Sequence, residues 1–232
     1  MSRLRAQRLQ LIAGVRGTYD GRVPIRRVRR SLRESWFWST LYIAIAGLII
    51  GALTAYAQGW LPPQVSSLAN SAGSWSLAAF LLVLFALDPW RGAFLGFVAL
   101  ITMLFGYVAA AAVRGYPAAT STVAFWVVAA LVAGPVLGIA AVWVQEYKPW
   151  KVAAGIAVIS GLLVGEAIYG LMFIADTTYP PYWYGELAVG LLILLVGFVR
   201  LRARRPAVLS TVLTALVAGA FYAGDGANLM AF

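Results

Sequence analysis

A single carboxylate, Glu166, stands in the apolar run GLLVGEAIYGLMF at residues 161–173. An ionised group deep in a bilayer costs at least about 2.5–3.5 kcal/mol unless it is paired or wetted. Glu166 must therefore be paired, protonated or engaged with a ligand. Three chemistries suit a lone carboxyl of this kind. It could hold a cation or hydrogen-bond a flat nitrogen heterocycle, it could relay protons, or it could pair structurally with Arg114 or a tyrosine hydroxyl. On its own helix Tyr169 and Gly170 share its face, whereas Leu162 and Leu163, one turn earlier, offer no hydrogen bond. Relief must come from Tyr169, another helix, water or a ligand.

Further polar and aromatic residues fall at the same level of the expected helices. They are Asn70, Ser71, Ser74 and Trp75; Tyr107 and Arg114; Trp126; Trp183, Tyr184 and Glu186; and Tyr222, Asp225 and Asn228. From these the expected ligand-binding set is Glu166, Tyr169, Trp126, Tyr107 and Arg114, lining an outward-facing pocket. The carboxylate would supply charge, the rings stacking and cation–π attraction, and Arg114 would suit an anionic or zwitterionic ligand. Plainer roles compete for some of these residues. Trp60, Trp183 and Tyr184 suit an interfacial aromatic belt, Asp225 suits solvation, and Glu186 suits the N-terminal dipole of its helix.

Other chemistries are excluded or unsupported. The chain has no cysteine and no histidine, which removes thiol nucleophiles, disulfides, His-dependent triads and the usual zinc sites. A retinal Schiff base needs a lysine at depth, and the two lysines, Lys148 and Lys151, bracket a connection. No filter-like sequence or ring of charges suggests a channel. A hydrolase built on paired carboxylates would need two at similar depth, and only Glu166 is expected there. No enzyme activity, cofactor or metal is expected.

The elements that must position these residues are membrane spans. Of 232 residues 62% are hydrophobic and 11% charged, whereas soluble domains carry about a quarter charged residues. Seven apolar blocks read as spans: Trp36–Tyr56, Ser74–Leu87, Gly92–Val113, Ser121–Val144, Trp150–Ala175, Tyr184–Val199 and Pro206–Gly224. The expected fold is an all-α integral membrane helical bundle of about seven transmembrane helices. Ten basic residues precede Trp36, and Arg91, Lys148, Lys151, Arg200, Arg202, Arg204 and Arg205 fall in even-numbered connections, leaving only Arg114 on the other side. The positive-inside rule then puts the N-terminus inside and the C-terminus outside, in the plasma (inner) membrane. The Ala55-Tyr56-Ala57 sequence after the first span has the form of a signal-peptidase site, but the long basic region and the length of the span suit an uncleaved helix.

Residues 1–35 form an expected basic amphipathic tail and residues 36–232 the bundle. The tail suits anionic headgroups, at about 1 kcal/mol per basic residue, or docking of a cytoplasmic partner such as an ATPase subunit. No nucleic-acid motif accompanies it. Small residues four apart, Gly47/Gly51, Gly92/Gly96, Gly134/Gly138 and Gly161/Gly165, would let helices approach closely. Pro135 should kink its span.

The runs NSAGSW (70–75), GY (106–107), RG (114–115), AGPVLG (133–138) and GEAIY (165–169) resemble a group of actinobacterial multi-pass membrane proteins classed as a domain of unknown function. That resemblance covers roughly residues 45–200 and implies origin rather than activity. In size, outer polar cluster and glycine packing the chain is also similar to the S components of energy-coupling-factor vitamin transporters. This second likeness implies a substrate-capture subunit docking on an ATPase assembly, although those proteins usually have six helices. The leading expectation is small-solute transport; the alternative is a non-catalytic membrane scaffold binding another membrane protein.

Overall fold

The computed structural model describes residues 35–226. The basic tail and Asn228 lie outside the described residues. Two compact units divide the chain at Trp38/Ser39, and the second carries all the contacts described below. Among the described residues seven α-helices follow in order: α1 (Trp36–Trp60), α2 (Ala72–Val83), α3 (Pro89–Val113), α4 (Thr120–Trp143), α5 (Pro149–Phe173), α6 (Pro180–Leu201) and α7 (Arg204–Gly226). No strand occurs among the described residues. All of the helices except α2 are long and apolar enough to cross a membrane, and the protein is a multi-pass helical membrane bundle.

The second block is the exception. A span over Ser74–Leu87 is expected, but α2 has only 12 residues and ends at Val83, about 18 Å of helix against a hydrocarbon core of about 30 Å. What stops it is the next helix. Pro89 holds Asp88 in extended backbone (φ −137°, ψ 155°), and the Asp88 carboxylate caps α3 by accepting from the Arg91 amide at 2.9 Å. At its start, α2 is preceded by the connection 61–71, which includes a short 3-10 turn at Ser66–Ala69.

Proline marks the first turn of α3, α5 and α6, where its missing N–H costs nothing. Pro135 lies inside α4, which stays helical from Thr120 to Trp143. Between α6 and α7 the chain turns through Arg202 in the left-handed region (φ 49°).

Bundle packing inverts the pattern of a soluble protein. Large apolar side chains such as Val128 and Val132 on α4, and Leu192 and Leu195 on α6, are exposed, as suits contact with lipid. Glycine and alanine face inward. All four glycine pairs named from the sequence meet a neighbouring helix. A Cβ at Gly92 would lie 2.5 Å from the Gly138 carbonyl oxygen, and one at Gly134 would lie 2.6 Å from Phe97 Cα. Gly47 and Gly51 approach α3 at Thr102 and Met103, and Gly161 and Gly165 approach α7 at the Thr214 and Ala218 carbonyls. Between these contacts Ile43, Leu95, Met103, Leu137 and Ile159 are fully buried.

Gly134→Val should force α3 and α4 apart and lower unfolding stability in mild detergent by about 1–3 kcal/mol, the usual cost of overpacking. Gly219→Ala adds a methyl where nothing lies within 4 Å, and it should leave stability unchanged or slightly raised. Equal effects from the two variants would contradict the interface.

Candidate functional site

A helix that begins inside a bundle must find acceptors for the amides of its first turn. At α2 the amides of Ala72 to Trp75 all have them. Trp75 N–H donates to the Ser71 carbonyl at 3.3 Å, and Ser74 N–H donates to the Ser71 hydroxyl at 3.0 Å. The remaining two are taken by Glu166 of α5. Ala72 N–H donates to its Oε1 at 2.8 Å, and Gly73 N–H donates to its Oε2. The carboxylate straddles the first turn of α2, where the helix dipole also favours negative charge.

A second carboxyl closes the arrangement. The Ser71 hydroxyl lies 3.1 Å from Glu166 Oε2 and 3.3 Å from Glu186 Oε1, positioned to donate to either. The two carboxyl groups thus face one hydroxyl, and an oxygen of each also stands against the Cα of Gly73. Both residues are buried, and Glu186 Oε2 has no hydrogen-bond partner among the described residues. Gly73 is required by this geometry. A side chain there would collide with Glu186 Oε1 and stand 2.6 Å from Glu166 Oε2. Tyr182, one turn before Glu186 on α6, packs edge to face on Trp183 at 4.9 Å.

On the other side of α2 lies a cavity of about 440 Å³ bounded by α2, α3 and α4, with Leu162 of α5 and Phe221 of α7. Trp75, Tyr107 and Trp126 bring aromatic rings to it; Leu100, Leu104, Val123 and several alanines make its apolar wall. Trp75 and Tyr107 meet edge to face at 5.9 Å. A polar strip runs along one edge. Tyr107 donates to Gln58 Oε1 at 3.2 Å, and Gln58 Nε2 donates to Asn70 Oδ1 at 2.5 Å. Ser71 and Thr122 also line the cavity. Ser71 thus touches both the cavity and the carboxyl pair.

Of the expected ligand set, Tyr107 and Trp126 come together in this cavity. Glu166 stands behind α2, one residue removed from the lining. The other two are displaced. Tyr169 packs on Phe173 at 5.2 Å, in an aromatic row continued by Tyr222, and makes no hydrogen bond to Glu166. Arg114 donates to the Ala55 carbonyl and lies over the Tyr56 and Tyr116 rings at 5.4 and 5.8 Å. It ties the end of α3 to α1 and does not pair with Glu166. Neither residue lines the cavity.

Two further readings are corrected. Glu186 does not merely complement a helix dipole: α6 begins at Pro180 rather than Tyr184, so Glu186 lies almost two turns inside and faces Glu166. The premise that only one carboxyl lies at depth therefore fails. Trp183 is not a belt residue, since it is buried, packs over Gly170 and donates to Thr178 Oγ1 at 2.8 Å. Trp60 and Tyr184 are exposed, as a belt requires. Sequence reading missed Gln58 altogether. It named Ser71 and Trp75 without assigning either a role, although Ser71 three residues before Ser74 is a recognisable N-cap pattern. Among the described residues no group of three or more Asp, Glu, His or Cys could hold a metal ion.

The chain belongs to a family of unknown function (DUF6518), whose model matches residues 30–230. No curated protein and no solved structure gives a match.

Glu166→Ala should strand the Ala72 and Gly73 amides, at about 1–3 kcal/mol each. Glu166→Gln keeps one acceptor oxygen and should lose roughly half as much. Unfolding in mild detergent measures both, and an alanine variant as stable as wild type would show that Glu166 does not cap α2.

Proposed function

We propose that this family member is a small-solute membrane transport protein, most simply a substrate-capture subunit, and that its solute occupies the cavity among α2, α3 and α4. The observation carrying this reading is the cavity itself. It is large enough for a small metabolite, ringed by Trp75, Tyr107 and Trp126, and edged by Gln58, Asn70 and Ser71. Ligand sites in proteins are concave, mainly apolar and furnished with a few placed polar groups, and this cavity has each property.

The chemistry of the wall changes the solute class expected from sequence. No carboxylate or arginine lines the cavity, so it favours a neutral, flat heterocycle with one hydrogen-bonding edge over a cation. Ring faces would hold the plane of the solute, and the Gln58–Asn70 amides its polar edge. Glu166 would act through α2 rather than by touching the solute. Both its oxygens accept amide hydrogens, which also argues for a positioning role over catalysis.

The setting that follows is a plasma-membrane protein with its basic connections on the cytoplasmic side, by the positive-inside rule. A capture subunit would need a cytoplasmic ATPase partner, the arrangement implied by the likeness to energy-coupling-factor S components. The basic tail would rest on anionic headgroups.

The test is thermal unfolding of the purified protein against neutral heteroaromatic vitamins and nucleobases. A solute bound only by the folded state should stabilise it by about 2.7 kcal/mol at a hundredfold excess over its dissociation constant. Trp126→Ala should weaken that binding about tenfold, in line with an aromatic contact of about 0.5–1.5 kcal/mol beyond area burial, and Arg114→Gln should not. If no solute stabilises the wild type, and the protein instead copurifies with a stoichiometric membrane partner, the scaffold reading replaces this one.

A further inference from the structure

We propose that Glu186 carries a proton shared with Glu166, and that this buried pair is a proton-binding site whose occupancy is transmitted to the cavity through Ser71 and the first turn of α2. Its link to the cavity rests on the reading above; the proton site itself does not.

The geometry divides the roles of the two carboxyls. Glu166 accepts from the Ala72 and Gly73 amides through both oxygens, so it is the anion of the pair. Glu186 receives no backbone amide. Its Oε1 lies 3.3 Å from the Ser71 hydroxyl, and its Oε2 is buried without a partner among the described residues. Ser71 has one hydroxyl hydrogen and two carboxyls facing it, so it can serve only one of them at a time. Two carboxylates held against one hydroxyl do not both ionise. Glu186 is the member with an oxygen free to carry the proton.

Among the described residues no other group nearby offers compensating charge. On α6 the titratable neighbour is Tyr182, one turn before Glu186. From α7 the residues against Gly165, beside Glu166, are Ala218 and Phe221. Helix α4 contains no ionisable residue. No lysine or arginine among the described residues forms an ion pair with either glutamate. A metal cation is a poor substitute for the proton, because the positive end of α2 points at the same oxygens.

Loss of the proton would leave two carboxylates around one hydroxyl. The proton would leave by way of Ser71, which borders the cavity, to water there. Repulsion between Glu166 and Glu186 would then displace the Ser71–Gly73 turn. Trp75 and Ser76, which line the cavity one turn further along α2, would move with it. Proton binding and cavity shape are thereby joined through a helix of 12 residues.

Infrared difference spectroscopy of the full chain in lipid vesicles tests the proton directly, without any solute. A protonated-carboxyl C=O stretch, shifted by deuterium, should be present near neutral pH in wild type and lost in Glu186→Gln, a neutral isostere that keeps an acceptor for the Ser71 hydroxyl. Absence of the band in wild type, or its persistence unchanged in Glu186→Gln, overturns the proton site whatever the cavity binds. The link is read separately. The chain has no cysteine, so Thr122→Cys gives one thiol in the cavity wall for maleimide labelling across a pH series. With Glu186 present, labelling should change with pH more than the same thiol does in the Glu186→Gln background. Identical profiles in the two backgrounds overturn the coupling and leave a static pair.

Discussion

The bundle turns on one constraint: α2 begins among other helices, where protein groups complete its first backbone hydrogen bonds. The amides of a helix's first turn need acceptors, and in a low-dielectric interior each one left bare costs kilocalories. Of the acceptors for Ala72 to Trp75, Ser71 supplies two from its own residue, and the other two come from Glu166, distant in sequence and carried on α5. Glu166 lies seven residues before the end of α5, so the first turn of α2 is held about 10 Å below that end. The depth of α2, the length left for it and the space beside it all follow from where that carboxylate stands.

Glycine supplies the tolerance this arrangement demands. A cap reaching across helices works only if α5 is fixed to within a fraction of an ångström, and membrane helices gain little from apolar burial against one another. Contact of backbone with backbone replaces it. Helix α5 meets α7 at Gly161 and Gly165, α4 at Gly155 and α6 at Gly190, where the Ser160 hydroxyl donates to the Gly190 carbonyl at 2.8 Å. With α5 so clamped, Glu166 has little freedom, and the small residues of the Ser71–Gly73 turn let it approach.

Much of this was legible in the residues themselves. Spans follow from apolar length and interfaces from glycines four apart, because each of these signals is local to one helix. Glu166 stood out for the same reason: its cost does not depend on knowing a neighbour. What sequence could not supply was partnership. A sixth span starting at Tyr184 leaves Glu186 at its rim, whereas Pro180 and Pro181 form the first turn of α6 and carry Glu186 to the interior. Charge alone suggests Arg114 for Glu166, but Arg114 is spent on the Ala55 carbonyl and two tyrosine rings. Hydropathy carries the second block through Leu87, and only the Asp88 cap and Pro89 show why the helix stops at Val83.

Magnitudes decide what the buried pair contributes. Placing a charge at this depth costs about 3 kcal/mol on insertion scales. Two charge-assisted hydrogen bonds return about 1.5–3 kcal/mol each, and the end of a helix dipole a further 0.3–1 or so. The sum lies within a few kilocalories of zero, so Glu166 is not there to hold the protein together in bulk; the glycine interfaces do that. Its contribution is positional. An apolar residue at 166 would satisfy the lipid and strand α2, whereas a carboxylate fixes one helix end at one depth. It can do so with Glu186 beside it only because Ser71 stands between them. That makes the Ser71 turn the place where the charge balance of the bundle and the shape of the cavity are set by the same few atoms.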